Sequence, residues 1–331
     1  MSGSIPTHRR GKRLSRDTGD YPETSGPPLV SVVVPTYQRT DLLRATLESA
    51  VRQTCRNIEI LVGDDDTWGR EVAESVADDR IIYICNSPRL GAAANFTALF
   101  DRARGKYIAP INDDDRYVPD FLQRCLEVFE GMPDLGLVFA NLYLDDGRRQ
   151  RVRDCDLAAG RHEAWEYDFV RTLPVPFSAS VFRREVWPQI RPLPPTFAAD
   201  AVLFARMVSV GWPAFYLSEP LVIYREHRGA WSRSETFRTE LVSAWEDIRF
   251  SDPRAETLRR GKLADALLNR AAQGIRLGHI REARADLSRA ETLVPKPTRR
   301  LWLLRQLSRK PMLGRVVARA VARWNLTSLR S

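Results

Sequence analysis

One stretch constrains this chain more than any other: Gly105-Lys106-Tyr107-Ile108-Ala109-Pro110-Ile111-Asn112-Asp113-Asp114-Asp115. Its first half, Tyr107 to Ile111, reads as a short apolar strand covered on both faces, as in an α/β sheet. The strand runs straight into three consecutive carboxylates. Adjacent aspartates at a strand end repel one another and call for a compensating cation. A divalent ion with hard oxygen ligands, Mg²⁺ or Mn²⁺, is the natural partner and usually brings phosphate with it. The plainer alternative is an acidic loop before a helix, with Pro119 in its first turn.

The pattern occurs twice. Leu29 to Pro35 is a β-branched run that reads as a central strand, ended by Pro35-Thr36-Tyr37. Thr40 is placed to cap a helix carrying Leu42, Leu43, Leu47, Ala50 and Val51. Ile58 to Val62 is a second strand, and it runs into Asp64-Asp65-Asp66. Ligands of open α/β sheets bind outside the carboxyl ends of the strands, so two acidic clusters at that edge point to one site. Further strands are expected over Arg80–Cys85 and Leu135–Ala140, with a hairpin over Leu142–Val152 turning at Asp146-Gly147. Helices are expected over Ala92–Ala103, with Asn95 facing a ligand or the backbone, and after Pro119, with Phe121, Leu122, Cys125, Leu126 and Phe129 on one face. This alternation predicts an α/β fold, a mostly parallel sheet with helices on both faces.

From 160 to 232 the pattern loosens, with prolines clustered at 174–176 and 188–195 as in substrate-facing loops. Asp200 precedes a helical pattern ending near Gly211, and Leu221–Tyr224 reads as a short strand before Arg225-Glu226-His227. Residues 236–331 read as helical, and Ala283, Leu287, Ala290 and Pro295 look like half of one tetratricopeptide-type pair, a helical hairpin packed on the body.

Charge is unevenly placed. Residues 292–331 hold ten Lys or Arg and no Asp or Glu; the remaining 41 basic residues face 42 acidic ones in 1–291. The basic tail, interleaved with Trp302, Leu303, Leu304, Val316, Val317 and Trp324, suits an anionic membrane surface, although Pro311 and Gly314 interrupt it. It lacks a nucleic-acid reading motif. Residues 1–28 are polar and lack a signal peptide's apolar core, which predicts a disordered arm. No stretch reaches membrane-span length. Cys55, Cys85, Cys125 and Cys155 show no metal-ligand spacing; three lie in apolar periodic segments and read as buried free thiols, which fits a reducing, cytoplasmic setting.

In order, Val32-Val33-Val34-Pro35-Thr36-Tyr37, Ile60-Leu61-Val62-Gly63-Asp64-Asp65, Gly105-Lys106-Tyr107-Ile108 before Asn112-Asp113-Asp114-Asp115, and the later Asp200…Leu203…Arg206…Gly211 and Tyr224-Arg225-Glu226-His227 resemble the family 2 glycosyltransferases of GT-A fold. The resemblance covers roughly 29–230. It implies a GT-A catalytic domain, bounded at 29–235, and does not cover the N-terminal arm or the helical extension over 236–331.

The resemblance further implies a nucleotide-diphosphate-sugar donor, a UDP-sugar first, and a glycan, lipid-linked or small-molecule acceptor. Pro35, Thr36 and Tyr37 would line the nucleotide pocket and Asp64 would contact the base, with Asp65 the weaker claimant. Asn95, Asn112 and Asp113 complete the donor contacts. Asp114 falls at the family's metal-ligating position, and His227 near the diphosphate and metal. Asn112 departs from the family's Asp-x-Asp; it removes a charge but keeps hydrogen-bonding capacity. Asp200 falls at the catalytic base, and Ala199 before it leaves the usual Glu-Asp pair incomplete. The implied chemistry is inverting: the metal neutralises the leaving diphosphate while a carboxylate deprotonates the acceptor hydroxyl.

Each residue has a plainer role available. Tyr37 reads equally as a core aromatic, Asp64 and Asp200 as helix caps, and His227 as a surface residue, as His162 and His279 do. A nucleotidyltransferase would also use aspartates and metal at a sheet edge, but it calls for a glycine-rich phosphate loop that Pro35-Thr36-Tyr37-Gln38-Arg39 lacks. A non-catalytic binding module would have no need of two acidic clusters.

Overall fold

The structure, a computed structural model, describes residues 26–194, 196, 198–227, 235–296 and 298–309. The expected arm over 1–25 and the tail beyond Arg309, with Pro311, Gly314, Val316, Val317 and Trp324, lie outside the described residues.

The β-branched runs form the strands the periodicity predicts. β1 (Val30–Thr36), β2 (Ile58–Asp64), β3 (Ile81–Cys85) and β4 (Tyr107–Pro110) pair in parallel in the order β3-β2-β1-β4. α1 (Thr40–Val51), α2 (Gly69–Val76) and α3 (Ala92–Arg102) connect them. β1 shows why its sequence does not alternate. Val30, Val32 and Val34 belong to one apolar cluster with Leu43, Leu47 and Phe121, while Val33 joins the cluster on the other face with Phe96 and Phe100. A strand covered on both faces needs apolar residues at every position.

Two local expectations are corrected. Thr40 is the first residue of α1 rather than its cap; Arg39 stands at the cap position without a capping side chain. Pro119 precedes α4 (Phe121–Gly131), which begins after Asp120, and its carbonyl accepts from Thr54 N at 2.9 Å.

The sheet continues through β5 (Arg116–Tyr117), β6 (Leu137–Asp145), β7 (Gln150–Val152) and β8 (Gly160–His162). After α5 (Glu166–Thr172) and a short turn of 3₁₀ helix, Phe177–Ala179, comes β9 (Ser180–Arg183), then α6 (Trp187–Ile190), α7 (Ala199–Ser209) and β10 (Ala214–Arg225). The full order is β3-β2-β1-β4-β9-β6-β10-β5, with β7 on β6 and β8 on β10. β9 is antiparallel to both β4 and β6, so β6 and β10 run in the same direction as β1. Each antiparallel ladder pairs three residues or fewer, and the long ladders are parallel. The short strand expected at Leu221–Tyr224 is the end of a 12-residue strand.

α8 (Glu235–Glu246), α9 (Pro253–Leu277), α10 (Ile280–Leu293) and α11 (Arg299–Arg309) follow. α9 has a proline at its first position and ends at Gly278 (φ 92°), the left-handed closure that glycine makes at little steric cost. α9 and α10 pack as a hairpin, with Ala283, Leu287 and Ala290 buried and Arg270 forked onto Asp286 at 2.7 and 2.8 Å. The buried Glu166 of α5 accepts from Ser251 Oγ at 3.0 Å and Asp252 N at 2.6 Å, tying the start of α9 to the body. α11 buries Leu301, Leu304 and Leu307, pairs Arg305 with Glu291, and leaves Trp302 62% exposed. Among the described residues, no helix is long and apolar enough to cross a membrane. Two of the free cysteines, Cys55 and Cys125, are buried; Cys85 and Cys155 are half-buried.

Candidate active site

The carboxyl ends of β1, β2, β4 and β10 all point to one edge of the sheet, and each delivers a loop there. β4 delivers Asn112-Asp113-Asp114-Asp115. Asp113, only 6% exposed, accepts from Thr36 Oγ1 at 2.8 Å and from Arg39 Nη1 at 3.2 Å. Burial pushes its carboxyl up to about 6, with Arg39 and Thr36 pulling the other way. Asp114 Oδ2 takes the same Arg39 nitrogen at 2.9 Å and faces His227 Nε2 at 3.2 Å. The pairing of Asp114 with His227, 113 residues apart, puts the two residues expected at a metal in contact.

Asp115 does different work. It is fully buried and receives Ser178 Oγ at 2.5 Å, Arg225 N at 3.0 Å and Asn112 Nδ2 at 3.3 Å. Burial, reinforced by Asp114, pushes its carboxyl up to about 7. It thus ties the acidic loop to the Phe177–Ala179 turn and to the end of β10, two residues before His227. Asn112 is engaged in the same knot: its backbone N–H and its side-chain amide donate to Ser178 Oγ at 3.1 and 3.2 Å.

The second acidic loop is satisfied by neutral donors of its own and of neighbouring segments. Asp64, fully buried, accepts from Asp66 N at 2.9 Å, Gly69 N at 2.8 Å and Tyr83 Oη at 2.7 Å. Asp65 accepts from Asn86 Nδ2 at 3.0 Å, Leu90 N at 3.2 Å and Gly91 N at 2.7 Å. Asn95 is buried and donates to the Gly63 carbonyl at 2.8 Å, and its Oδ1 has no partner among the described residues. The backbone role open to Asn95 is thus filled on one side of its amide. Tyr37 is no core aromatic: it is 37% exposed, with the Arg89 guanidinium 3.8 Å over its ring. Pro35 is half-buried in β1, opposite Gly63.

Asp200 is the second residue of α7, half-buried, with its carboxyl held up by burial and accepting from Ala201 N at 2.7 Å. Among the described residues it makes no hydrogen bond or ion pair with the Asp113–Asp114–His227 group. Its helix meets the Phe177–Ala179 turn, through Phe204 against Phe177 at 6.2 Å between rings.

Arg39, Ser178 and Arg89 were not anticipated. Arg39 follows Pro35-Thr36-Tyr37-Gln38 and looks like an ordinary surface cation until β4 is laid beside β1. Ser178 lies in a proline-rich stretch where no periodicity points to it.

Among the described residues, no three His, Cys, Asp or Glu side chains cluster as a ready-made metal cage. A carboxylate and an imidazole in contact nevertheless fit Mn²⁺ or Mg²⁺, which are often held by one or two protein groups, with phosphate oxygens and water completing the shell.

Residues 31–190 match the family described as Glycosyl transferase family 2. They belong to that family. The UDP-Glc:alpha-D-GlcNAc-diphosphoundecaprenol beta-1,3-glucosyltransferase WfaP of Escherichia coli is 34% identical over 121 residues, covering 35% of this chain and 47% of that protein. A glycosyltransferase of Methanocaldococcus jannaschii is 33% identical over 125 residues, 36% of this chain and 43% of the other. The chain therefore matches less than half the length of these curated relatives. The crystal structure of S. aureus TarS 1-349 in complex with UDP-GlcNAc superposes with TM-score 0.62 at 15% identity, covering 87% of this chain and 88% of that one. The mannosyltransferase PcManGT of Pyrobaculum calidifontis, in complex with GDP-Man and Mn2+, gives 0.54 at 18% identity, covering 94% and 91%. At these identities the likeness is one of fold, and the fold of this family 2 glycosyltransferase domain is the GT-A type.

Proposed function

We propose that the chain is an inverting glycosyltransferase that moves a sugar from a nucleotide-diphosphate donor, a UDP-sugar first, to an acceptor hydroxyl. The observation that carries this reading is the meeting of Asp113, Asp114, His227 and Arg39 at the carboxyl edge of a family 2 domain. Asp114 and His227 would hold Mn²⁺ or Mg²⁺, which when bound neutralises the leaving diphosphate. Tyr37, exposed beside β1 and stacked by Arg89, offers a face for the base. Asp64, Asp65 and Asn95 shape the floor beneath it. Asp200 takes the acceptor proton; its burial raises its affinity for that proton. Division into a catalytic domain over 29–235 and a helical extension over 236–331 belongs to the same reading.

UDP-sugars come first because WfaP and the TarS complex carry them in their names. A lipid-linked acceptor at the cytoplasmic face of a membrane fits the α11 surface, where exposed Trp302 lies between exposed Arg299 and Arg309. Anionic liposomes should co-sediment the full chain in a salt-sensitive way, and a chain ending at 309, which keeps α11, should lose part of that binding.

The test of the catalytic reading is donor turnover with radiolabelled UDP-sugars, with and without Mn²⁺. Asp200→Asn keeps size and removes basicity. Its transfer rate should fall by a factor on the order of 10²–10⁴ while donor binding persists. Wild-type turnover in this variant would leave Asp200 as a residue of the α7 first turn and move the base elsewhere.

A further inference from the structure

The geometry points to Arg39 as a built-in counter-ion that occupies the metal-binding carboxylate until a divalent cation displaces it, so that the site's affinity for free metal is set by a residue of this chain. The inference rests on the reading above that Asp114 holds the metal.

Three observations carry it. First, one nitrogen, Arg39 Nη1, bridges both carboxylates, at 3.2 Å from Asp113 Oδ1 and 2.9 Å from Asp114 Oδ2. Second, the oxygen it takes on Asp114 is the one that faces His227 at 3.2 Å. A cation shared by Asp114 and His227 would have to approach the oxygen that the guanidinium holds. Third, the Arg39 side chain is 31% exposed, against 9% and 11% for the two aspartates. Arg39 is therefore the most solvent-accessible of the three side chains, the one that can swing away while the carboxylates stay in place.

The physical need for such a residue follows from burial. Two adjacent, nearly buried carboxylates are costly to keep ionised without a cation. Guanidinium is permanently charged and meets that need before donor arrives. A divalent ion carries twice the charge on a smaller radius, so with a diphosphate supplying further ligands it outcompetes the guanidinium. Free metal without diphosphate lacks that help. Arg39 therefore makes the site discriminate between a bare cation and one that arrives with its nucleotide. The local backbone fits a side chain held for this purpose. Gln38 is left-handed (φ 55°) and is fixed through its amide to Asp66 at 2.8 Å, while Arg39 stands at the start of α1 without a capping role.

The experiment measures Mn²⁺ binding to the full chain without nucleotide, by the loss of the free Mn²⁺ EPR signal, for wild type, Arg39→Gln and Arg39→Lys. Circular dichroism confirms the fold of each. Arg39→Gln is expected to tighten the Kd for Mn²⁺ about tenfold or more. Arg39→Lys keeps the charge but carries it on a shorter stem that does not bring a nitrogen to the Nη1 position between the two carboxylates, and should tighten binding severalfold. With UDP present the three proteins should converge. Equal Kd values for Mn²⁺ in wild type and Arg39→Gln would overturn the proposal while leaving Asp114 as a ligand. Tightening in Arg39→Gln with wild-type affinity in Arg39→Lys would overturn it as well, because the effect would then be bulk charge rather than occupancy. Absence of Mn²⁺ binding in every form, with or without UDP, would remove the metal assignment and this inference with it.

Discussion

The two aspartate triplets end the two strands that flank β1, and in the sequence they look alike. Their surroundings are opposite. Asp64 and Asp65 are met by backbone N–H groups, a phenol and an amide, all neutral and mostly from their own and adjoining loops. Asp113 and Asp114 are met by Arg39 and His227, from distant parts of the chain. Neutral donors satisfy a carboxylate in place and build a loop around it. Asp114, met by a guanidinium and an imidazole, keeps a demand for charge that a ligand can meet. On the proposed function, the first triplet is scaffold for the pocket and the second is its reactive end.

The sharpest way to break this contrast is to remove one carboxylate from each. Asp114→Ala should lower transfer about 10³-fold or more, since a Lewis acid at the leaving group contributes several kcal/mol. Its urea midpoint should stay near wild type. If turnover with Mn²⁺ is unchanged, Asp114 is not a ligand. Asp64→Ala should do the reverse and lose stability first. It orphans two backbone N–H groups and the Tyr83 hydroxyl, and buried unsatisfied groups cost about 1–3 kcal/mol each. A variant that keeps wild-type stability but no longer binds UDP would show Asp64 to be a base contact rather than scaffold. Asp113→Ala falls between the two, with a loss in rate on the order of tenfold. It frees Thr36 and half of the Arg39 bridge, yet leaves Asp114 and His227 in place.

The same contrast explains what the sequence could show. β1, β2 and β4 are buried on both faces, so their apolar runs and the acids that end them stand out without any knowledge of partners. β9 pairs Ser180–Arg183 with β4 and β6 through only a few residues and is flanked by prolines, so no period marks it. That strand nevertheless sets the direction of β6 and β10 and brings His227 to Asp114. Which triplet the proposed chemistry would use was equally hidden. The answer lies in Arg39, Ser178 and the backbone of Arg225, which become neighbours of Asp113–Asp115 only when the sheet is assembled. The composition of the tail showed its charge, but not that Leu301, Leu304 and Leu307 bury one face of α11 against α9 and α10.

The smallest effect follows from protonation. Burial raises Asp113 to about 6 and Asp115 to about 7, above the ordinary carboxylate value near 4. Both groups hold a proton more tightly folded than unfolded. Their contribution to stability is therefore fully present below about pH 4 and is lost as pH rises through about 6 and 7. Asp66, in the other triplet, has the opposite sign: the Gln38 amide and the Thr67 N–H lower its value, so what it adds is present above pH 4 and lost on acidification. The contributions of Asp113 and Asp115 therefore change between pH 5 and pH 8, whereas that of Asp66 changes below that range. Calorimetric Tm should fall over that range at about 2–4 °C for each ~1 kcal/mol lost. Asp115→Asn resembles the protonated form, and the Ser178 hydroxyl can turn to accept from the new amide, so its Tm should fall less steeply than that of wild type. Parallel curves for the two proteins would mean that Asp115 is ionised throughout, held by Ser178 Oγ and the Arg225 N–H.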